Sequence, residues 1–213
     1  DEPEVARYSV LILDTSGSMS GTPVSKQKLA AIKFCNSVLA ANGTNYVAVV
    51  KLNTSSFTGC DFTDDIDVLT EYINNIPASG GTNINQALQV AEKLLDSISV
   101  PDSEVKTIKN VILCSDGLPE SGSTTSSGPY TSEDHSYYRY ANACYNTAAL
   151  MKEKYNIYTL GFFHSLSGSE LSFANRFMND LQNAGYYPVN DPEDLEFTFG
   201  DIADDITKPS GLQ

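Results

Sequence analysis

The sequence predicts an α/β fold: a doubly wound, mostly parallel sheet of six strands, with one antiparallel edge strand and helices on both faces. Three observations predict it. Short aliphatic runs of strand length alternate with amphipathic segments of helix length along the chain. The aliphatic runs lack strict polar–apolar alternation, which suits strands covered on both faces. One pair of runs is separated by only four residues, Asn53, Thr54, Ser55 and Ser56, too few for a parallel crossover, so that pair is a hairpin.

The elements follow in order. Residues 8–13 form the first strand. The stripe Leu29, Ile32, Cys35, Val38 and Leu39 then marks a helix by its spacing of three and four. Residues 46–52 form the second strand, and residues 57–62 its antiparallel partner at the sheet edge. Thr63, ahead of Asp64 and Asp65, signals a helix start, with Ile66, Leu69, Ile73 and Ile76 on one face. Another helical stripe runs through Ile84, Ala87, Leu88, Ala91, Leu94, Leu95 and Ile98. Residues 107–114 form the next strand. Residues 120–136 are rich in Ser, Thr and Gly without periodicity and read as a long loop. Ala141, Cys144, Ala148 and Met151 share a helix face, and residues 156–163 form a strand. Ser167 and Glu170 fit a capping box ahead of Ala174, Phe177, Met178 and Leu181. A sixth short strand includes residues 186–189. Asp191 and Pro192 open the last helix as N-cap and first residue, with Leu195, Phe199, Ile202 and Ile206 as its stripe. Residues 1–207 make one domain, and residues 208–213 a polar tail or linker.

Length and charge narrow the function. A chain of 213 residues is enough for one domain that buries about 70% of its unfolded surface. Acidic residues outnumber basic ones 27 to 13, a net charge of -14. Phosphate backbones and anionic membranes both need clustered Lys and Arg, so this balance argues against nucleic acid or a lipid surface as partner. An acidic surface attracts cations and basic partners, or simply keeps a protein soluble. No apolar run approaches the roughly 20 residues of a membrane span. The first residue is Asp1 rather than Met, as expected of a processed protein or a segment of a larger one. Cys35, Cys60, Cys114 and Cys144 show no C-x-x-C spacing, which leaves zinc and thioredoxin-like readings without support. Cys35, Cys114 and Cys144 fall in apolar patterns, so buried free thiols are expected, with one disulfide left open.

In open α/β sheets, ligands bind beyond the carboxyl ends of the strands. Asp14-Thr15-Ser16-Gly17-Ser18 follows the first strand, and Ser115-Asp116-Gly117 follows the strand at 107–114. Ser79-Gly80-Gly81-Thr82-Asn83 precedes the helix that starts near Ile84. All three loops carry small oxygen-bearing side chains beside glycine. Carboxylates, hydroxyls and waters are what hard divalent cations prefer, and the absence of Cys and His from the set disfavours Zn²⁺ and copper. Alternate side chains of a turn leaving a strand converge, so Asp14, Ser16 and Ser18 can face one ion. Asp14 and Asp116 balance a charge of +2, while the hydroxyls of Ser16, Ser18 and Thr82 add ligands without charge. Taken singly, Asp14 is also a strand-end cap and Thr82 a helix N-cap.

Asp14-x-Ser16-x-Ser18, then Thr82, then Asp116-Gly117 resembles the metal-ion-dependent adhesion site of von Willebrand factor A domains, and the resemblance runs from Tyr8 to about Ile206. It implies a parallel sheet with one antiparallel edge strand, a Mg²⁺ ion (with Mn²⁺ or Ca²⁺ as substitutes), and a protein partner that supplies a carboxylate to the metal. It also implies direct ligation by Ser16, Ser18 and Thr82, and direct or water-mediated ligation by Asp14 and Asp116. Family members often change state by moving the last helix, here residues 192–206. The long loop beside the metal face contributes Tyr130, Tyr137 and Tyr138 as candidate partner contacts, because tyrosine is enriched at interfaces. Asp134 and His135 fall there too and read as solvated.

A hydrolase would need a nucleophile and a base. Ser16 lacks a G-x-S-x-G elbow, and His135 and His164 are the only histidines, neither with an evident residue to orient it. Neither G-x-x-x-x-G-K-[ST] nor G-x-G-x-x-G occurs. A metal-dependent hydrolase stays behind two binding readings. The first is a secreted or cell-surface adhesion module; the second is an intracellular assembly module working with an ATP-driven chaperone or chelatase. Start at Asp1, acidity and Ser/Thr content favour the first.

Overall fold

Four consecutive residues of the first strand, Val10, Leu11, Ile12 and Leu13, are sealed from solvent and divide between two cores. Val10 and Ile12 belong to one, Leu11 and Leu13 to the other, as the two-residue period of a strand requires. The computed structural model describes residues 4–100 and 104–209. Among these the chain runs β1 (Glu4–Asp14), α1 (Thr22–Leu39), β2 (Thr44–Leu52), β3 (Phe57–Thr63), α2 (Ile66–Asn74), α3 (Ile84–Asp96), β4 (Val105–Ser115), α4 (Tyr138–Met151), β5 (Asn156–Gly161), α5 (Gly168–Leu181), β6 (Gly185–Pro188) and α6 (Leu195–Thr207).

The six strands order as β3-β2-β1-β4-β5-β6. All neighbours are parallel except β2 and β3, which pair antiparallel at the edge. Helices α3, α4 and α5 cover one face, with Leu88, Ala148 and Phe177 among the buried residues. Helices α1, α2 and α6 cover the other, with Phe34, Leu69 and Phe199 buried there. β1 and β4 lie side by side at the centre, with Leu13 opposite Cys114, so both reach the same end of the sheet together. Asp14 follows Leu13 directly, and Asp116 follows Cys114 after Ser115.

Three readings of the sequence need correction. The buried face of α1 is Ala30, Ala31, Phe34, Cys35 and Val38, whereas Leu29 is 45% exposed. Small alanines let α1 sit close to its neighbours, and a stripe chosen by side-chain size passes over them. α3 ends at Asp96, so Ile98 lies beyond it. Ser167 makes no side-chain cap, because Gly168 follows it at φ 58 and a capping box needs helical residues straight after the cap. The start signal at residues 63–65 does open α2 at Ile66, with Asp65 as its cap, accepting from the Asp67 N–H at 2.9 Å. Asp191 does cap as expected, but it opens a 3-10 turn, Pro192–Asp194, that runs into α6. All four cysteines are free thiols, three of them buried. Of the tail at 208–213, residues 210–213 lie outside the described residues.

Candidate metal site

Asp14 ends β1 with no exposed surface, and its carboxylate accepts from four donors. Oδ1 takes the Ser16 N–H at 2.8 Å and the Ser16 hydroxyl at 2.5 Å. Oδ2 takes the Ser115 hydroxyl at 2.9 Å and the Asp116 N–H at 3.1 Å. The main chain binds the loops to each other. Gly17 N–H donates to Gly80 O at 2.9 Å, and Ser79 N–H to Thr15 O at 2.7 Å. Gly80 sits at φ 80, the left-handed region that glycine enters freely. Glu120 N–H donates to Thr82 O at 3.1 Å, joining the third loop. Asn83, not Thr82, caps α3, with its side chain accepting from the Gln86 N–H. The capping role therefore falls to Asn83 and leaves the Thr82 hydroxyl out of it.

Asp116 is equally buried and shares one of these hydroxyls, that of Ser16. Its Oδ1 accepts from Ser18 at 3.0 Å and lies 3.3 Å from the Ser16 oxygen, whose proton is directed to Asp14, and the two serine oxygens are 3.1 Å apart. Ser16, Ser18, Thr82 and Asp116 line one pocket of about 270 Å³. A six-coordinate Mg²⁺ with bonds of about 2.1 Å places neighbouring ligand oxygens about 3 Å apart, which is the spacing seen here. The donor set and its spacing thus fit a small, hard cation. Burial first, and the Asp116 charge second, push the Asp14 carboxyl up to about 7. Two carboxylates held together away from water are unfavourable without a cation between them.

The structure brings together Asp14, Ser16, Ser18, Thr82 and Asp116. It does not bring in all three tyrosines. Tyr137 lines the pocket wall with Glu120, Leu166 and Glu170. Tyr138 is half-buried at the start of α4 and is not among the residues lining the pocket. Tyr130, expected as a partner contact, is 1% exposed and offers no surface to a partner. Its ring packs edge-on against Tyr145, Phe173 and Phe177, and its hydroxyl donates to Asp180 at 2.7 Å. Asp134 is bound to Arg176 and the Thr131 N–H rather than freely solvated. His135 accepts the Tyr137 N–H and stacks on Phe173.

One residue of the site escaped the sequence reading. His164 Nε2 lies 3.0 Å from Asp116 Oδ2. The available signal was positional: Gly161 pairs with Ser115, so residues just past β5 emerge beside those just past β4.

Comparison with known proteins agrees with this architecture. The heavy chain H4 of human inter-alpha-trypsin inhibitor is 26% identical over 208 residues, covering 94% of this chain. The match spans only about a fifth of that relative's length. The mouse counterpart is 28% identical over 125 residues, covering 57% of this chain and 13% of the relative. Among solved structures, the von Willebrand factor domain of the type V pili tip protein Mfa5 from Porphyromonas gingivalis superposes with a TM-score of 0.74 at 18% identity, covering 100% of this chain and 99% of that one. The pilus adhesin SpaC of Lactobacillus rhamnosus GG, in an open conformation, gives 0.74 at 16% identity, over 97% of this chain and 30% of that one. At such identities these structures speak for the fold. The family model of the von Willebrand factor type A domain matches residues 9–118, from within β1 through the Asp116 loop, and the chain belongs to that family.

Proposed function

We propose that this domain is a divalent-cation-dependent protein-binding module, in which Asp14, Ser16, Ser18, Thr82 and Asp116 hold Mg²⁺ and a partner's acidic side chain completes the ion's coordination. The observation that carries this reading is the convergence of the buried Asp116 carboxylate and two serine hydroxyls at one pocket, with oxygen spacings of 3.0, 3.1 and 3.3 Å, and a second buried carboxylate, Asp14, bonded to Ser16 behind them. When bound, the cation supplies an electrophilic centre for a partner carboxylate. Asp14 keeps the Ser16 loop folded through its four hydrogen bonds. Ser16, Ser18 and Thr82 contribute neutral oxygens, so only two negative charges face the ion and it is left short of electron density. Tyr137 and Leu166 on the pocket wall offer apolar area to the incoming chain.

The domain is proposed to act outside the cell or at its surface, as part of a larger protein. Similar folds occur in proteins described as a pili tip protein, a pilus adhesin and a minor pilin, and the human relative is about five times longer than the match. No helix among the described residues is long and apolar enough to cross a membrane. A binding role rather than hydrolysis is favoured because the histidine that contacts a proposed ligand is not free to serve as a base. His164 is engaged with Asp116.

The test is capture of matrix proteins, cell-surface proteins and glycans in Mg²⁺ and in EDTA, with Ser16→Ala alongside. A partner retained only with metal and lost in the variant supports the reading. A partner indifferent to both refutes it as the contact surface.

A further inference from the structure

We infer that His164 is a positioning residue of the cation site, holding Asp116 so that one carboxylate oxygen alone faces the serine hydroxyls. This rests on the proposed cation site and deepens it. His164 lies outside the segment that carries the five proposed ligands, 48 residues beyond Asp116.

Three observations carry the inference. First, the two oxygens of Asp116 have separate partners. Oδ1 meets Ser16 and Ser18, while Oδ2 meets His164 at 3.0 Å. An ionised carboxylate only accepts, so the imidazole donates through its Nε2–H and fixes its own tautomer. Second, the ring is held from behind. It stacks on Phe162 with centroids 4.7 Å apart and planes 23° apart, and Phe162 is fully buried. Third, the segment carrying it is tied to the strand end that carries Asp116. Phe162 N–H donates to Ser115 O at 2.9 Å, and His164 N–H to Phe162 O at 3.1 Å. The donor is therefore fixed to the same main chain as the acceptor it holds.

The consequence is geometric. A carboxylate free to swing can offer a cation both oxygens, or neither. With Oδ2 engaged, Asp116 offers Oδ1 along one direction, toward the hydroxyls. Partners of this kind behind metal ligands set both affinity and orientation. Asp14 has no comparable freedom, since its two oxygens are already held by backbone and serine donors. His164 does for Asp116 what Ser115 and two backbone amides do for Asp14.

Two substitutions separate the hydrogen bond from the packing. His164→Phe keeps a ring over Phe162 and removes the donor. His164→Gln removes the ring and keeps an N–H at the reach of Nε2. Mg²⁺ and Mn²⁺ are titrated calorimetrically into the unmodified domain and both variants at one fixed pH, and metal-free melting temperatures are recorded in EDTA. The Phe variant is expected to lose about ten-fold or more in affinity. The Gln variant is expected to stay within about three-fold of the unmodified domain, by the same donor argument. A Phe variant that binds as tightly as the unmodified domain overturns the role of His164, and so does a Gln variant that loses as much as Phe. No binding in the unmodified domain would instead overturn the cation site itself.

Discussion

Asp116→Asn should make the metal-free domain more stable while abolishing its response to Mg²⁺. Asp14 and Asp116 share one hydroxyl, that of Ser16, at 2.5 Å and 3.3 Å. Two unit charges about 5 Å apart at an effective dielectric of about 20 repel by about 3 kcal/mol when both are ionised, which sets the scale for this pair. Asparagine fits the place without an orphan: its amide N–H groups face the Ser16 and Ser18 oxygens, and its carbonyl accepts from His164 Nε2. Exchanging charge-assisted for neutral hydrogen bonds takes back about 1 kcal/mol. A net gain of about 2 kcal/mol raises the melting temperature of a domain this size by about 4–8 °C. The assay is thermal unfolding by circular dichroism at pH 8 in EDTA, then in excess Mg²⁺. The unmodified domain should gain about 2.7 kcal/mol once free Mg²⁺ is a hundred times its dissociation constant. The variant should gain nothing. A variant less stable than the parent in EDTA, or one still stabilised by Mg²⁺, would refute the reasoning.

Three further predictions follow from the same geometry. The Asp14 carboxyl is raised on folding by burial and then by Asp116. Its contribution to metal-free stability is therefore full below the usual carboxylate range and is lost as pH rises through about 7. Chemical denaturation in EDTA should accordingly show a shallower fall from pH 5 to pH 8 in Asp116→Asn than in the parent. Mg²⁺ must displace that proton, so calorimetric affinity should drop as pH falls below 7, approaching ten-fold per unit. Tyr130→Phe leaves Asp180 without its tyrosine donor and should cost about 1.5–3 kcal/mol in urea unfolding without changing Mg²⁺ affinity. Gly80→Ala forces a side chain into the left-handed region beside Thr54, which should cost about 1–2 kcal/mol of stability and weaken Mg²⁺ binding through the Gly17–Gly80 link.

The parts of this molecule that were legible in the sequence are those whose signal is local. Asp14, Ser16 and Ser18 lie within five residues, and one turn is enough to bring them together. The edge strand β3 was legible from the four residues before it, because chain length alone forbids a crossover. The central strands were legible because Val10, Leu11, Ile12 and Leu13 are apolar on both faces. What stayed hidden depends on contacts across the chain. Tyr130 resembled an interface tyrosine by composition. It is instead held in the core by Asn142, whose side chain bonds both its N–H and its carbonyl. No periodicity in the loop announces that anchor. The α1 face was misread because alanine carries little hydrophobic weight in a pattern and much in a close contact. His164 needed the register between β4 and β5, which amino-acid spacing does not contain.

The sheet also explains why an unfavourable pair of carboxylates can persist at this place. Asp14 ends β1 and Asp116 follows β4, the two central strands, each hydrogen-bonded on both sides. Their spacing is therefore set by the register of a buried sheet and not by the side chains themselves. The hydroxyl ligands come from short residues on loops cross-linked by the Gly17–Gly80, Ser79–Thr15 and Glu120–Thr82 main-chain bonds. Neither main chain can move away from the other without breaking the core beneath it, and the remaining side-chain freedom of Asp116 is taken up by His164. Repulsion that would open a flexible loop is stored here as affinity for a cation, since binding relieves it with little rearrangement. On this argument, loosening the loops and removing the repulsion both weaken metal binding, but with opposite effects on the metal-free domain. Gly80→Ala lowers its stability and Asp116→Asn raises it.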